Sequence, residues 1–276
     1  MTIRWRRPAG RPALLLALLL VPLTVWGLLA WPGGDQGRGA AAKSATPPPA
    51  SATAAPSGAA DPPPPPGTAL PPTTVWQPGP GEPQPEIKQA ATAFIETAGT
   101  WFDAAGPAAT LRAEGVAPEV AATATALEAP DAVASTVRVI YPQYGGVTAD
   151  RAAVMILLDQ NLATPDGRTT TRQLALDVRV VRSGGGWQAE GIQPLTSLGP
   201  GRPLSQAAQE VLAEPRLELP APARQDVSTG RMDDRLLRVL LGLAEDWVLT
   251  VQVMHTGHIQ TVYPTTRLSN HAVGRA

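Results

Sequence analysis

The chain has 276 residues, a formal net charge of −1 and 31 prolines, and its folded part carries no basic stripe, so nucleic acid is excluded as a partner. It has no cysteine, which removes disulfides, thiolate zinc sites and cysteine nucleophiles together. Alanine, proline and arginine dominate over lysine, a usage typical of GC-rich bacterial genes.

Residues 1–12 form a basic tail with Arg4, Arg6, Arg7 and Arg11. Ala13 to Trp31 then run uncharged and leucine-rich, enough for a helix of roughly 28 Å, close to the hydrocarbon thickness of a bilayer. The arginines on one side predict a single-pass anchor with the N-terminus in the cytoplasm and the bulk of the chain outside it. A cleaved signal peptide is the competing reading, with Ala40-Ala41-Ala42 as a small-residue cleavage site. Its weakness is an apolar core longer than the usual 7–15 residues. Residues 32–85 hold 16 of the prolines, and so apolar-poor a stretch predicts a disordered tether with polyproline II segments.

From Glu86 the pattern becomes periodic. Ile87, Ala91, Phe94, Ile95, Ala98, Trp101 and Phe102 recur at helical spacing and predict one amphipathic helix. Residues 108–129 predict shorter helices, broken near Gly115 and Pro118. Val137, Val139 and Tyr141 alternate as a strand that Pro142 to Gly146 should break. Ala152 to Leu158 is apolar throughout, as a strand buried on both faces would be. Asp166-Gly167 marks a hairpin. In the next strand Leu174, Leu176, Val178 and Val180 face one way, with Gln173, Asp177 and Arg179 on an outer, solvated face. Ser183 to Gly186 turns the chain into a last strand at 187–192.

Helices followed by an antiparallel meander predict an α+β domain over 86–196. In order and length this segment resembles the nuclear-transport-factor-2-like cone fold. The resemblance implies a scaffold or binding role as readily as a catalytic pocket. The acids Asp103, Asp159, Asp166, Asp177 and Glu190 fall at expected strand ends, turns or solvated positions; Asp159, at a strand end, is either a pocket residue or, the preferred reading, part of a solvated face.

Residues 200–276 read as a second module. Leu204 to Ala213 is helical, Leu217 to Pro220 extended, and a proline-bounded loop follows. Met232 to Asp246 is a strong helix with acids at its positive end. Its leucine stripe calls for covering strands that the following residues do not supply. Leu249, Val251 and Val253 alternate as a strand leading to the three histidines of the chain, His255, His258 and His271. Neutral imidazole is a common zinc ligand. On an extended segment, however, His255 and His258 would point to opposite faces unless Gly257 turns the backbone.

Ser269-Asn270-His271-Ala272-Val273-Gly274-Arg275-Ala276 resembles the opening of the Ser-x-His-x-x-Gly-x-Ala-x-Asp motif of zinc D-alanyl-D-alanine carboxypeptidases and their hedgehog-like relatives. The approach through Thr256-Gly257-His258 is similar to that of exported actinobacterial relatives. The resemblance implies that His271 is a zinc ligand, that Ser269 shapes its loop, and that Gly274 and Ala276 allow close packing below the metal. It also implies an aspartate ligand two positions beyond Ala276, then a further histidine and a general base. Within this sequence the zinc site is therefore expected to be incomplete, with His258 and His255 as weak substitutes and no catalytic residue. The function expected is that of an envelope scaffold or binding protein, with peptidoglycan or an envelope protein as partner. The alternatives are a piece of a zinc peptidoglycan peptidase and a subunit of a secretion or conjugation assembly.

Overall fold

The computed structural model describes residues 3–6 and 70–275. The expected anchor at 13–31, most of the basic tail and the tether as far as residue 69 lie outside the described residues. Among the described residues no helix is long and apolar enough to cross a membrane. These residues belong to one compact unit, a mixed α/β structure with six α-helices.

Helix α1 spans Pro85–Gly99, with proline at its start, where the missing N–H costs nothing. It is shorter than the apolar spacing predicts. Thr100 is already extended, Trp101 bridges to Ser135, and Phe102 is exposed rather than part of the core stripe. Short helices α2 (Pro107–Ala113) and α3 (Pro118–Ala121) and a 3₁₀ turn follow, each α-helix again opening on proline.

A four-stranded antiparallel meander comes next: β2 (Ala134–Val147), β3 (Arg151–Ala163), β4 (Thr169–Ser183) and β5 (Gly186–Ile192). Pro142 does not end β2, contrary to expectation. The strand runs on through it with register shifts at Val139/Tyr141 and Tyr144/Gly146, and such bulges are where a strand tolerates proline. The apolar run of β3 is buried on both faces, as predicted. Ala152, Val154, Ile156 and Leu158 join Leu176, Val178 and Val180 beneath α1, where Ile87, Phe94 and Ile95 fill the concave side. Met155 and Leu157 point the other way and meet Ala175 and Val253. Each fully buried aliphatic side chain is worth roughly 1.5–3 kcal/mol, so both faces matter to stability.

Covering the second face overturns one expectation. Asp177 is not solvated but 5% exposed, because the C-terminal segment lies over it. The end of the proline-rich stretch is likewise tied down, not disordered. Thr74 bridges to Arg138, Trp76 N–H donates to Glu96 at 2.7 Å, and Lys88 pairs with Glu82. The Tyr144 hydroxyl donates to the carbonyls of Pro83 and Gln84 at 3.0 and 2.7 Å.

Beyond residue 200, Ser205 caps α4 (Gln206–Ala213) by accepting from Ala208 N–H. Strand β6 (Leu217–Glu218) follows. The expected proline-bounded loop is instead helix α5 (Ala221–Ser228), since Pro222 falls in a first turn that needs no N–H. Helix α6 (Asp234–Ala244) is capped by Asp233. Leu237, Leu240 and Ala244 of α6 are buried together with Val211 of α4, Val227 of α5, and Leu217 and Leu249. The leucine stripe thus finds its cover in α4 and in the pair of β6 with β7 (Val248–Val251), which run parallel. The backbone of β1 (Ile3–Arg6) lies antiparallel to the other edge of β7, with Ile3 opposite Val251 and Arg6 opposite Val248.

Candidate functional site

After β7 the chain leaves its strand and folds back against the meander, and a single glycine makes this possible. Gly257 has φ +78°, and a Cβ there would lie 2.3 Å from the carbonyl carbon and oxygen of Ala175. Only glycine combines that backbone angle with so close an approach. The resulting turn is closed by His258 N–H donating to the His255 carbonyl at 3.0 Å. It is pinned from below by Asp226 of α5, which is 3% exposed. That carboxylate accepts from the backbone N–H of His255 (2.9 Å), from the N–H of Thr256 (2.8 Å) and from the Thr256 hydroxyl (2.6 Å). Nothing in the sequence pattern marks Asp226; it is one acid in a stretch read as loop, and only the fold carries it to residue 255.

The turn brings His255 and His258 to the same side of the chain, and His271 joins them. The rings of His258 and His271 stack with centroids 3.4 Å apart and planes 13° from parallel. Each Nδ1 faces a carbonyl oxygen: His255 to His271 at 2.8 Å, His258 to Ile259 at 3.0 Å, and His271 to Met254 at 2.8 Å. A carbonyl can only accept, so each Nδ1 carries a proton. The Nε2 of His255 is buried without a partner. Burial disfavours the imidazolium form, which takes His258 down to about 3 and His271 down to about 4, so both are neutral near pH 7.

Ser269 and Gly274 hold the loop that presents His271. The Ser269 hydroxyl donates to the Ile259 carbonyl at 2.9 Å and accepts from Ala272 N–H at 3.2 Å. Gly274 has φ +72°, and its carbonyl accepts from Asp233 N–H at 2.8 Å, tying the loop to the start of α6. Asp233 itself is held well below the usual carboxylate range by its ion pair with Arg235. Ala276 lies outside the described residues.

The donors do not fit a zinc centre as they stand. With the rings of His258 and His271 stacked almost parallel, their in-plane lone pairs lie in separate planes and do not aim at one point, whereas zinc needs its ligands converging at about 2.0–2.1 Å. Among the described residues no group of three or more His, Asp or Glu side chains is placed to share a metal ion. The arrangement therefore supports hydrogen bonding by all three rings and packing by the neutral imidazoles of His258 and His271.

No family model and no curated protein matches the chain. Among solved structures it is similar to the association domain of C. elegans CaMKII, at 17% identity and a TM-score of 0.20, covering 21% of this chain and 45% of that one. It is also similar to the Kfla4162 protein from Kribbella flavida, at 19% identity and a TM-score of 0.21, covering 25% and 52%. A third is an uncharacterized protein with a cystatin-like fold from Caulobacter vibrioides, at 15% identity and a TM-score of 0.20, covering 40% and 80%. The matched part thus spans about half the length of the first two. Likenesses this slight carry no argument about what the chain does.

Proposed function

We propose that the chain is a single-pass cell-envelope protein, anchored through residues 13–31, whose folded part works outside the cytoplasm as a scaffold or binding module. The observation that carries the non-catalytic reading is the filling of the meander's concave face. Ile87, Phe94 and Ile95 occupy the concave side, where a cone fold would hold a reaction pocket, while on the other face, where Val253 and Ile259 pack, there is an open cleft of about 520 Å³ lined in part by Ile140, Leu157 and Gln173. What is left open to partners lies at the surface, in clefts beside the C-terminal segment. Peptidoglycan or another envelope protein is the partner that an exported, tethered module would meet.

The anchor is tested by topology. A reporter fused after Ala276 is expected to be active only outside the cytoplasm, and the full chain to sediment with membranes. A single crossing at 13–31 would part Ile3–Arg6 from β7, so anchor and strand pair exclude each other in one chain. A reporter active only in the cytoplasm would overturn the anchored reading and leave the pairing with β7 standing.

A second reading, part of a zinc-dependent peptidoglycan peptidase, is favoured by one observation. Nδ1 of His271 is held by the Met254 carbonyl, which leaves Nε2 as the ligating nitrogen in the manner of zinc-bound histidines. The scaffold reading expects the purified chain to hold well under one zinc per molecule after dialysis, and to release no terminal D-alanine from a muramyl pentapeptide. One tightly held zinc per chain would favour the peptidase instead.

A further inference from the structure

The Asp177–Arg179 pair joins two residues of one strand, and its contact with a second element runs through the Tyr263 ring. Asp177 and Arg179 are two residues apart on β4, so both project from one face of a single strand. Arg179 Nε donates to Oδ1 of Asp177 at 2.9 Å and Nη2 to Oδ2 at 2.7 Å. A bond between neighbours on one strand ties no second element down, yet the two side chains are only 20% and 6% exposed. Burying an ion pair is costly, and replacing one with apolar residues is often neutral or stabilising. Burial raises the Asp177 carboxyl against the pull of Arg179, a sign of that cost.

The pair forms one wall of a cleft of about 320 Å³ between β4, residues 193–196 and the 257–261 turn. Gln193, Thr196, His258, Gln260 and Thr261 supply most of the remaining lining, while Pro194 and Leu195 contribute the apolar part. The guanidinium lies over the Tyr263 ring, 5.4 Å from its centre. Of its five N–H groups two are engaged by Asp177, and the carboxylate keeps lone pairs beyond the two that Arg179 uses. Spare donors and spare acceptors thus stand side by side, with amides and hydroxyls around them.

We infer that this cleft binds a neutral saccharide unit, with the Asp177–Arg179 couple engaging adjacent hydroxyls. The pair cancels its own charge, so the wall favours neither anions nor cations. Each sugar hydroxyl both donates and accepts, which matches a carboxylate beside a guanidinium. Polar side chains outnumber the two apolar ones, Pro194 and Leu195, in the lining. The volume lies at the small end of ligand pockets, which run from about 300 to 1,000 Å³, and suits one ring rather than a chain. This ligand class rests on the cleft and not on the anchor, and it deepens the envelope reading by giving that module something to bind.

The test is saturation-transfer NMR on the purified full chain, with N-acetylglucosamine trimer as probe and trialanine as the peptide comparator. Signal transfer to the saccharide and not to trialanine is expected. Arg179→Gln should weaken binding at least about tenfold, the loss of hydrogen bonds from a charged donor. Because that change touches a buried pair, the exposed Thr196→Trp serves as a second variant. It should block the cleft and abolish transfer while the thermal transition stays where it was. No transfer to the saccharide, transfer to trialanine instead, or full binding by Thr196→Trp would each overturn the assignment. Topology is read separately, so either result can fail without the other.

Discussion

Lowering the pH from 7.5 to 5 is expected to remove about 2–3 kcal/mol of unfolding free energy, traceable to His258 and His271. Folded, they titrate at about 3 and about 4, against about 6.5 in an unfolded chain. Between those values the unfolded state takes up protons that the folded state refuses, so stability is complete above pH 6.5 and falls as the pH drops toward 4. One unit of separation is worth about 1.4 kcal/mol per group. At pH 5 the two would sum to about 4 kcal/mol, reduced to about 2–3 because His271 is only half-buried and solvent screens its charge. Buried Glu96 and Asp177, raised by desolvation, act in the opposite sense and temper the slope. Denaturant titrations at pH 7.5, 6 and 5 measure this. The double variant His258→Asn/His271→Asn should flatten the profile, and a flat profile in the unsubstituted chain would show that the imidazoles are not held neutral by burial.

Gly257→Ala is expected to cost about 3–5 kcal/mol, near the upper end for a single substitution. The left-handed backbone alone costs an alanine about 1–2 kcal/mol. The remainder comes from the 2.3 Å approach to the backbone of Ala175, which cannot rotate away as a side chain would. Either β4 shifts or the C-terminal segment lifts, and lifting it separates His255 and His258 from His271 and uncovers Asp177. Gly242→Ala is the control. It sits exposed in α6 with nothing within 4 Å of the added methyl, and should stabilise by about 0.5–1 kcal/mol. Equal melting temperatures for Gly257→Ala and the unsubstituted chain would mean that the segment does not pack on β4 as described.

Periodicity made much of the fold legible. The apolar spacing after Ile87 marked α1, the continuous run Ala152–Leu158 marked a strand buried on both faces, and Asp166-Gly167 and Ser183–Gly186 marked the hairpins, because local alternation records which faces are buried. The histidines were legible as a composition signal, three in the last 22 residues. Pro142 misled, because a proline reads as a strand end while a bulge that absorbs it is decided by the partner strand. Phe102 misled in the same way: its spacing fits the helix, but Trp101 leaves it to pair with Ser135.

What the sequence determined by itself is therefore local: an uncharged leucine-rich segment behind a basic tail, a proline-rich stretch, and elements whose hydrophobic period names them. Tertiary structure alone decided which charges are buried and which side chains meet. Asp177 alternates like a solvated residue and is buried only because residues 252–263 lie over β4. Asp226 reaches the His255 turn across 29 positions of chain. His258 stacks on His271 because Gly257 lets the backbone turn against Ala175. Burial of a polar group depends on what packs over it from elsewhere in the chain, and no local period carries that information.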